Sequence, residues 1–226
     1  MLSKSELKFS VAYFLIVAGH LICGLVTELI DFTYITKPAI VSSLLMFFLA
    51  QSKDLGKSMR LLMILALLFS LFGDISLMFD NLSSSYFIIG LVSFLLAHIM
   101  YILVFLKHRN TSSRPLGFLG LLLLYAISLF FYLKDGLGDM LVPVMVYMIV
   151  ILGMATSAFL RRKSVNTKSF TWVLIGAILF LVSDSILAID KFHHALPLSS
   201  VSIMLSYALA QYCIVIGILK LKPELR

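Results

Sequence analysis

Long apolar runs separated by short polar connections dominate this chain. Eight runs can be marked, at about 9–26, 38–50, 61–79, 86–106, 116–133, 141–160, 170–189 and 198–219. About 20 apolar residues are needed for a helix to cross a bilayer, and most of these runs approach that length. The second is short unless Ile35 and Thr36 are added. Pro38, Pro115, Pro143 and Pro197 each stand near the start of a run, where a missing N–H is harmless. The pattern predicts an all-α, polytopic membrane helix bundle of eight transmembrane helices. Residues 1–226 then form a single integral membrane domain in the lipid bilayer. The first run, preceded by Lys4 and Lys8, lacks an Ala-x-Ala cleavage site and is followed by Glu28, so a retained span is expected rather than a signal peptide.

Composition agrees. The chain is 61% hydrophobic and 13% charged, with a mean hydropathy of +1.07, too little polar surface for a water-soluble domain. In a soluble chain the net charge of +7 would suggest nucleic acid. Here most of it sits in alternate connections, so no nucleic-acid partner is expected. Lys53, Lys57 and Arg60, then Lys107, Arg109 and Arg114, then Arg161, Arg162, Lys163 and Lys168 fall on one side. Lys4, Lys8, Lys220, Lys222 and Arg226 at the two ends join them, leaving Lys37, Lys134 and Lys191 on the other side. Basic connections stay in the cytoplasm. Both termini are therefore expected there, with an even number of spans; in a bacterium the membrane would be the plasma (inner) one. Glu28, Asp31, Asp80, Asp135, Asp139 and Asp190 lean to the opposite side, as topology alone would leave most of them. Cys23 and Cys213 fall inside apolar runs and read as small packing residues.

Two aspartates break the apolar pattern. Leu71-Phe72-Gly73-Asp74-Ile75-Ser76-Leu77-Met78-Phe79-Asp80 has a near-twin at Leu181-Val182-Ser183-Asp184-Ser185-Ile186-Leu187-Ala188-Ile189-Asp190. Asp74 and Asp184 lie 110 positions apart (184 − 74), as do Asp80 and Asp190 (190 − 80). An aspartate at the centre of a membrane helix costs about 2.5–3.5 kcal/mol on insertion scales. A matched pair points to function, with Asp74 and Asp184 as the candidate catalytic residues. Both sit roughly 20 Å along their helices from the basic side, so they share a level. The 110-residue echo also predicts two related four-helix halves in parallel orientation.

Other polar side chains lie at compatible depths. His98 and Tyr101 share one helix face, as do Tyr207 and Gln211. Tyr147 follows Pro143 by four residues, and Lys37 precedes Pro38 at the mouth of the second run. With Ser183, these form the expected substrate-binding set around one cavity. Adjacent His193 and His194 have no carboxylate partner and are weak evidence for a metal site; no metal and no cofactor are expected.

Taken in order, several of these residues resemble the YhhN family, whose animal members are called transmembrane protein 86. They are Lys37-Pro38, Gly73-Asp74 with Leu77, Gly90 with Ala97-His98 and Tyr101, and Gly176-Ala177 with Ser183-Asp184 and Ala188. The resemblance covers nearly the whole chain. It implies lysoplasmalogenase activity, which cleaves the vinyl ether bond of a lysophospholipid substrate, lysoplasmalogen, to a fatty aldehyde and a glycerophospho-alcohol. The residues suit that chemistry independently. Protonating a vinyl ether requires a carboxyl that still holds its proton, and the resulting oxocarbenium ion requires a carboxylate. Two alternatives use the same features: a proton-coupled transporter relaying protons through Asp74, Asp184 and His98, and a non-catalytic membrane scaffold.

Overall fold

The structure, a computed structural model, describes residues 3–112 and 114–221; Lys222 and Arg226, counted above among the basic residues, lie outside them. The described residues hold eight α-helices: α1 (Lys4–Leu25), α2 (Thr33–Gln51), α3 (Lys57–Leu77), α4 (Ser84–Leu106), α5 (Leu116–Leu137), α6 (Leu141–Phe159), α7 (Thr167–Phe192) and α8 (Ser199–Leu219). They contain no strand. In lipid the backbone must satisfy its own polar groups, so apolar runs of this length become helices. Polar residues set the ends. Ser3 and Glu6 form a reciprocal capping box on α1, and the Asn166 side chain accepts from the Ser169 N–H to start α7. Pro115 is the N-cap of α5.

Helical segments long and apolar enough to cross a membrane number seven among the described residues, not the expected eight. The expected connection around 134–140 is not a loop. Lys134 and Asp135 continue α5, and only the 3-10 turn Gly138–Met140 separates it from α6, giving one 44-residue segment. That segment doubles back at Gly138, whose φ of 48° and ψ of −127° suit a residue without a side chain. Leu133 and Leu137 of α5 pack with Val144 of α6 inside the resulting hairpin. The second span also differs. It is fed by the 3-10 helix Thr27–Phe32 and begins at Thr33, so Pro38 lies inside α2 rather than at its start. The protein is an integral, multi-pass membrane protein.

The start of α1 and the end of α8 meet at one end of the bundle, where Lys220 pairs with Glu6 at 2.5 Å. The connections after α4 and α6 join there too, through the Asn110 N–H on the Leu160 carbonyl at 2.7 Å. This is the basic end; Asp31, Asp80 and Asp190 mark the acidic end. One expected loop charge behaves otherwise. Arg161 is fully buried, its guanidinium donating to the Ser169 hydroxyl at 2.8 Å and lying over the Phe105 ring. It ties α6 to the start of α7.

α8 is the central post, buried on nearly every face from Tyr207 to Ile218. It packs most closely on α7, and α3 packs most closely on α4. Glycines permit both approaches. A Cβ on Gly176 would stand 2.8 Å from the Ala210 carbonyl oxygen, and one on Gly73 would stand 2.7 Å from the Phe94 ring. Small residues at helix crossings let backbones approach in this way. A shift of 110 residues carries α2, α3 and α4 onto α6, α7 and α8 to within a few residues, and the two tightest helix pairs are counterparts under that shift.

Candidate active site

α3 and α7 raise Asp74 and Asp184 to the same level, and both carboxyls border one cavity of 560 Å³ that opens at the acidic end. Asp74 is 2% exposed. The Tyr207 hydroxyl donates to its Oδ2 at 2.7 Å. Behind Tyr207 runs a buried chain of hydrogen bonds. Gln211 Nε2 donates to Tyr207 Oη at 3.3 Å and to Ser70 Oγ at 2.9 Å, while Tyr101 Oη donates to Gln211 Oε1 at 2.5 Å. Ser70, Tyr101, Tyr207 and Gln211 thus all have partners among the described residues, the condition under which a buried polar network is stable.

Asp184 is more open, its side chain 15% exposed. The Tyr147 hydroxyl donates to its Oδ2. The same oxygen lies 3.6 Å from His98 Nε2. His98 Nδ1 is 2.5 Å from the Phe94 carbonyl, which can only accept, so Nδ1 carries a proton. Nε2 is left buried and without a hydrogen-bond partner among the described residues. In a neutral ring that nitrogen is an acceptor aimed at a carboxyl. The ring is fixed between Tyr147 and Phe180, at centroid distances of 5.3 and 4.6 Å.

Of the expected substrate-binding residues, Lys37, Ser183 and Tyr207 border the cavity. Ser183 also anchors α7 to α8, donating to the Ile203 carbonyl at 3.0 Å. Tyr147 borders a neighbouring apolar slot that reaches Asp184 from the other side. His98, Tyr101 and Gln211 do not line the cavity. They are fully buried one layer behind it and bear on Asp184 and Tyr207 instead. Their helix faces were right and their depth was not, because residues three or four apart share a face without sharing a layer. Lys37 is half-buried at the wall of the cavity that Asp74 also borders.

The cavity also gathers a residue that sequence reasoning passed over. His20 of α1 borders it and pairs with Thr36 at 2.9 Å, one residue before Lys37. Its signal was its position on the buried Tyr13–Val17 face of α1. At the mouth, Asp80 pairs with Lys191 at 2.8 Å, which joins the ends of α3 and α7. Asp190 accepts the Leu196 N–H at 2.8 Å and so holds the connection into α8. His193 stacks edge-on against Tyr132. No cluster of three potential metal ligands occurs among the described residues.

This arrangement can hold a proton at one carboxyl and a negative charge at another, beside a cation, in a chamber that is polar at its mouth and apolar at its side. Comparison with known proteins bears on which chemistry that serves. The model of the YhhN family matches residues 32–218. The chain is 30% identical over 158 residues to lysoplasmalogenase TMEM86A of Bos taurus, covering 67% of this chain and 62% of that one. It is 33% identical over 138 residues to lysoplasmalogenase TMEM86B of Homo sapiens, covering 59% and 54%. With the lysoplasmalogenase of Mycobacterium bovis it shares 28% identity over 136 residues, covering 58% and 50%. The matched stretch thus spans between half and under two thirds of these relatives. No solved structure matches the chain.

Proposed function

This chain belongs to the YhhN family, and on that premise we propose that it is an intramembrane lipid hydrolase of lysoplasmalogenase type. It cleaves the vinyl ether bond of a lysoplasmalogen by acid–base chemistry between Asp184 and Asp74. The observation that carries this reading is the unpartnered His98 Nε2, aimed at a carboxyl that shares its cavity with a second one. A proton on Asp184 supplies the donor that His98 lacks. Asp74, which shares its cavity with Lys37 and accepts from Tyr207, serves as the carboxylate.

The reaction then runs in balanced steps. Asp184 gives its proton to the second carbon of the alkenyl chain, and the π electrons of the double bond form the new C–H bond. Positive charge develops on the first carbon and the ether oxygen, facing the carboxylate of Asp74. Water adds to the first carbon while Asp74 takes one of its protons. In the hemiacetal the bond from the first carbon to the glycerol oxygen breaks. The glycerol oxygen takes the proton held by Asp74, the remaining hydroxyl gives its proton to Asp184, and aldehyde and alcohol leave with both carboxyls restored. Lys37 binds the phosphate at the cavity wall. Ser183, Tyr147 and Tyr207 position the substrate and the two carboxyls. His98, Tyr101 and Gln211 support them from behind.

Orientation follows from charge. Basic connections remain in the cytoplasm, which puts both chain ends inside and opens the cavity toward the outer leaflet. The test is aldehyde release by detergent-purified protein given a lysoplasmalogen without any ion gradient. Release supports the hydrolase. Gradient-dependent uptake by vesicles without aldehyde would favour a transporter built on the same carboxyls.

A further inference from the structure

A second cavity meets the first at Asp184. It is a slot between α4, α5, α6 and α7, and Asp184 is the carboxyl common to both cavities. Its walls are apolar, with Leu91, Ala126, Leu129 and Val144 contributed by three of the four helices. Burial without a partner would cost a phosphate or glycerol group too much for such a lining. A hydrocarbon chain gains from it.

The slot arises from a break in the internal repeat. Under the shift of 110 residues, α1 corresponds to α5 and α8 to α4. α1 packs on α8, where Tyr13 Oη donates to the Ala208 carbonyl at 2.8 Å and the Ser10 and Tyr212 hydroxyls meet at 2.5 Å. α5 packs on α6 and α7 but, among the described residues, makes no close backbone approach to α4. Leu123 stands where the shift would place the counterpart of Tyr13 (13 + 110), so the corresponding hydrogen bond cannot form. α5 is pinned instead to α7, Tyr125 Oη donating to Ser185 Oγ at 2.7 Å, one residue past Asp184. The wall that is closed in one half is therefore parted in the other, at the level of the carboxyl.

We propose that this slot is the binding site for the single hydrocarbon chain of a lysophospholipid, which enters sideways from the bilayer between α4 and α5. The phosphate occupies the polar cavity by Lys37, and the first carbons of the chain lie at Asp184, where the two cavities join. The assignment rests on the hydrolase reading for the bond placed at that junction; the slot and its opening rest on geometry.

The probe is an alkyl-ether lysophospholipid, which cannot be hydrolysed, carrying a photoreactive diazirine a few carbons from the ether. Irradiated with full-length protein in lipid, it should label peptides from the α4 and α5 walls, and Ala126→Trp or Leu129→Trp should abolish that label. The same substitutions should lower kcat/KM for a long-chain lysoplasmalogen relative to a short-chain one by about tenfold or more. Label confined to α1 and α2, or unchanged by both tryptophans in folded protein, would overturn the proposal. Labelling of the slot in a protein that releases no aldehyde would uphold the chain site while striking down the hydrolase reading.

Discussion

Tyr101 donates a 2.5 Å hydrogen bond to Gln211, the residue that stands 110 positions after it. The same interval separates Asp74 from Asp184 and Lys37 from Tyr147 (147 − 37). Positions matched by this interval touch each other here, where α4 meets α8. Elsewhere the matched positions differ in chemistry. Asp74 shares its cavity with a cation on α2, whereas Asp184 accepts from a phenol on α6. The two matched carboxyls thus have different surroundings, which is what a division into acid and carboxylate requires.

The Tyr101–Gln211 layer is structural in this account. Gln211→Leu removes the partners of Ser70, Tyr101 and Tyr207 together and should destabilise the protein by about 1–3 kcal/mol, the cost of buried polar groups left unpaired. Adding Tyr101→Phe should cost less than its single-mutant effect, because its partner is already gone. Thermal unfolding of the two single variants and the double checks this. Strict additivity would separate the two residues.

Lys37→Ala should raise KM for a phosphate-bearing vinyl ether much more than for one without a head group, since the ammonium recognises the phosphate. Steady-state kinetics with the paired substrates reads the difference. Equal effects would assign the lysine to folding or topology.

His98→Gln should lower kcat with little change in KM, because the ring sits behind the cavity and acts through Asp184. A neutral hydrogen bond contributes about 0.5–1.5 kcal/mol, roughly 2- to 12-fold in rate. The pH–rate profile should move as well, which a purely structural role would not produce. An unchanged profile would leave His98 as a packing residue.

Gly176→Ala should disturb the protein more than Gly73→Ala. The first added methyl meets the Ala210 backbone carbonyl and the second a ring that can turn. Overpacking of this kind costs about 1–3 kcal/mol. Comparison of melting temperatures decides it, and equal losses would mean that α7 and α8 can separate freely.

How much of this was legible beforehand depends on the residue. Asp74 and Asp184 announced themselves because a charge in an apolar run has no cheap explanation. Lys37 and Tyr207 followed from depth and helix face. Tyr101, Gln211 and His98 were placed on the correct faces but one layer too far forward, since helical periodicity gives direction and not distance. His20 was hidden in a first span whose exposed side is apolar from Val11 to Leu25. The α5–α6 hairpin was misjudged because Lys134 and Asp135 look like a loop, although both are ordinary last-turn residues where a helix end reaches the membrane surface. Arg161 was counted as a loop charge because its partner, Ser169, belongs to the next helix.

The central claim is that the two carboxyls do the chemistry, and aldehyde release by purified Asp184→Asn and Asp74→Asn tests it most directly. An amide keeps the size of the side chain but can neither give nor hold the proton. Each variant should stay folded, since burying a neutral amide costs less than burying a charge. Each should release aldehyde from lysoplasmalogen about 10²–10⁴-fold more slowly than the unsubstituted protein, with the double variant little worse than either single one. A folded Asp184→Asn or Asp74→Asn protein that hydrolyses lysoplasmalogen at the unsubstituted rate would contradict the account and leave that aspartate with a structural role.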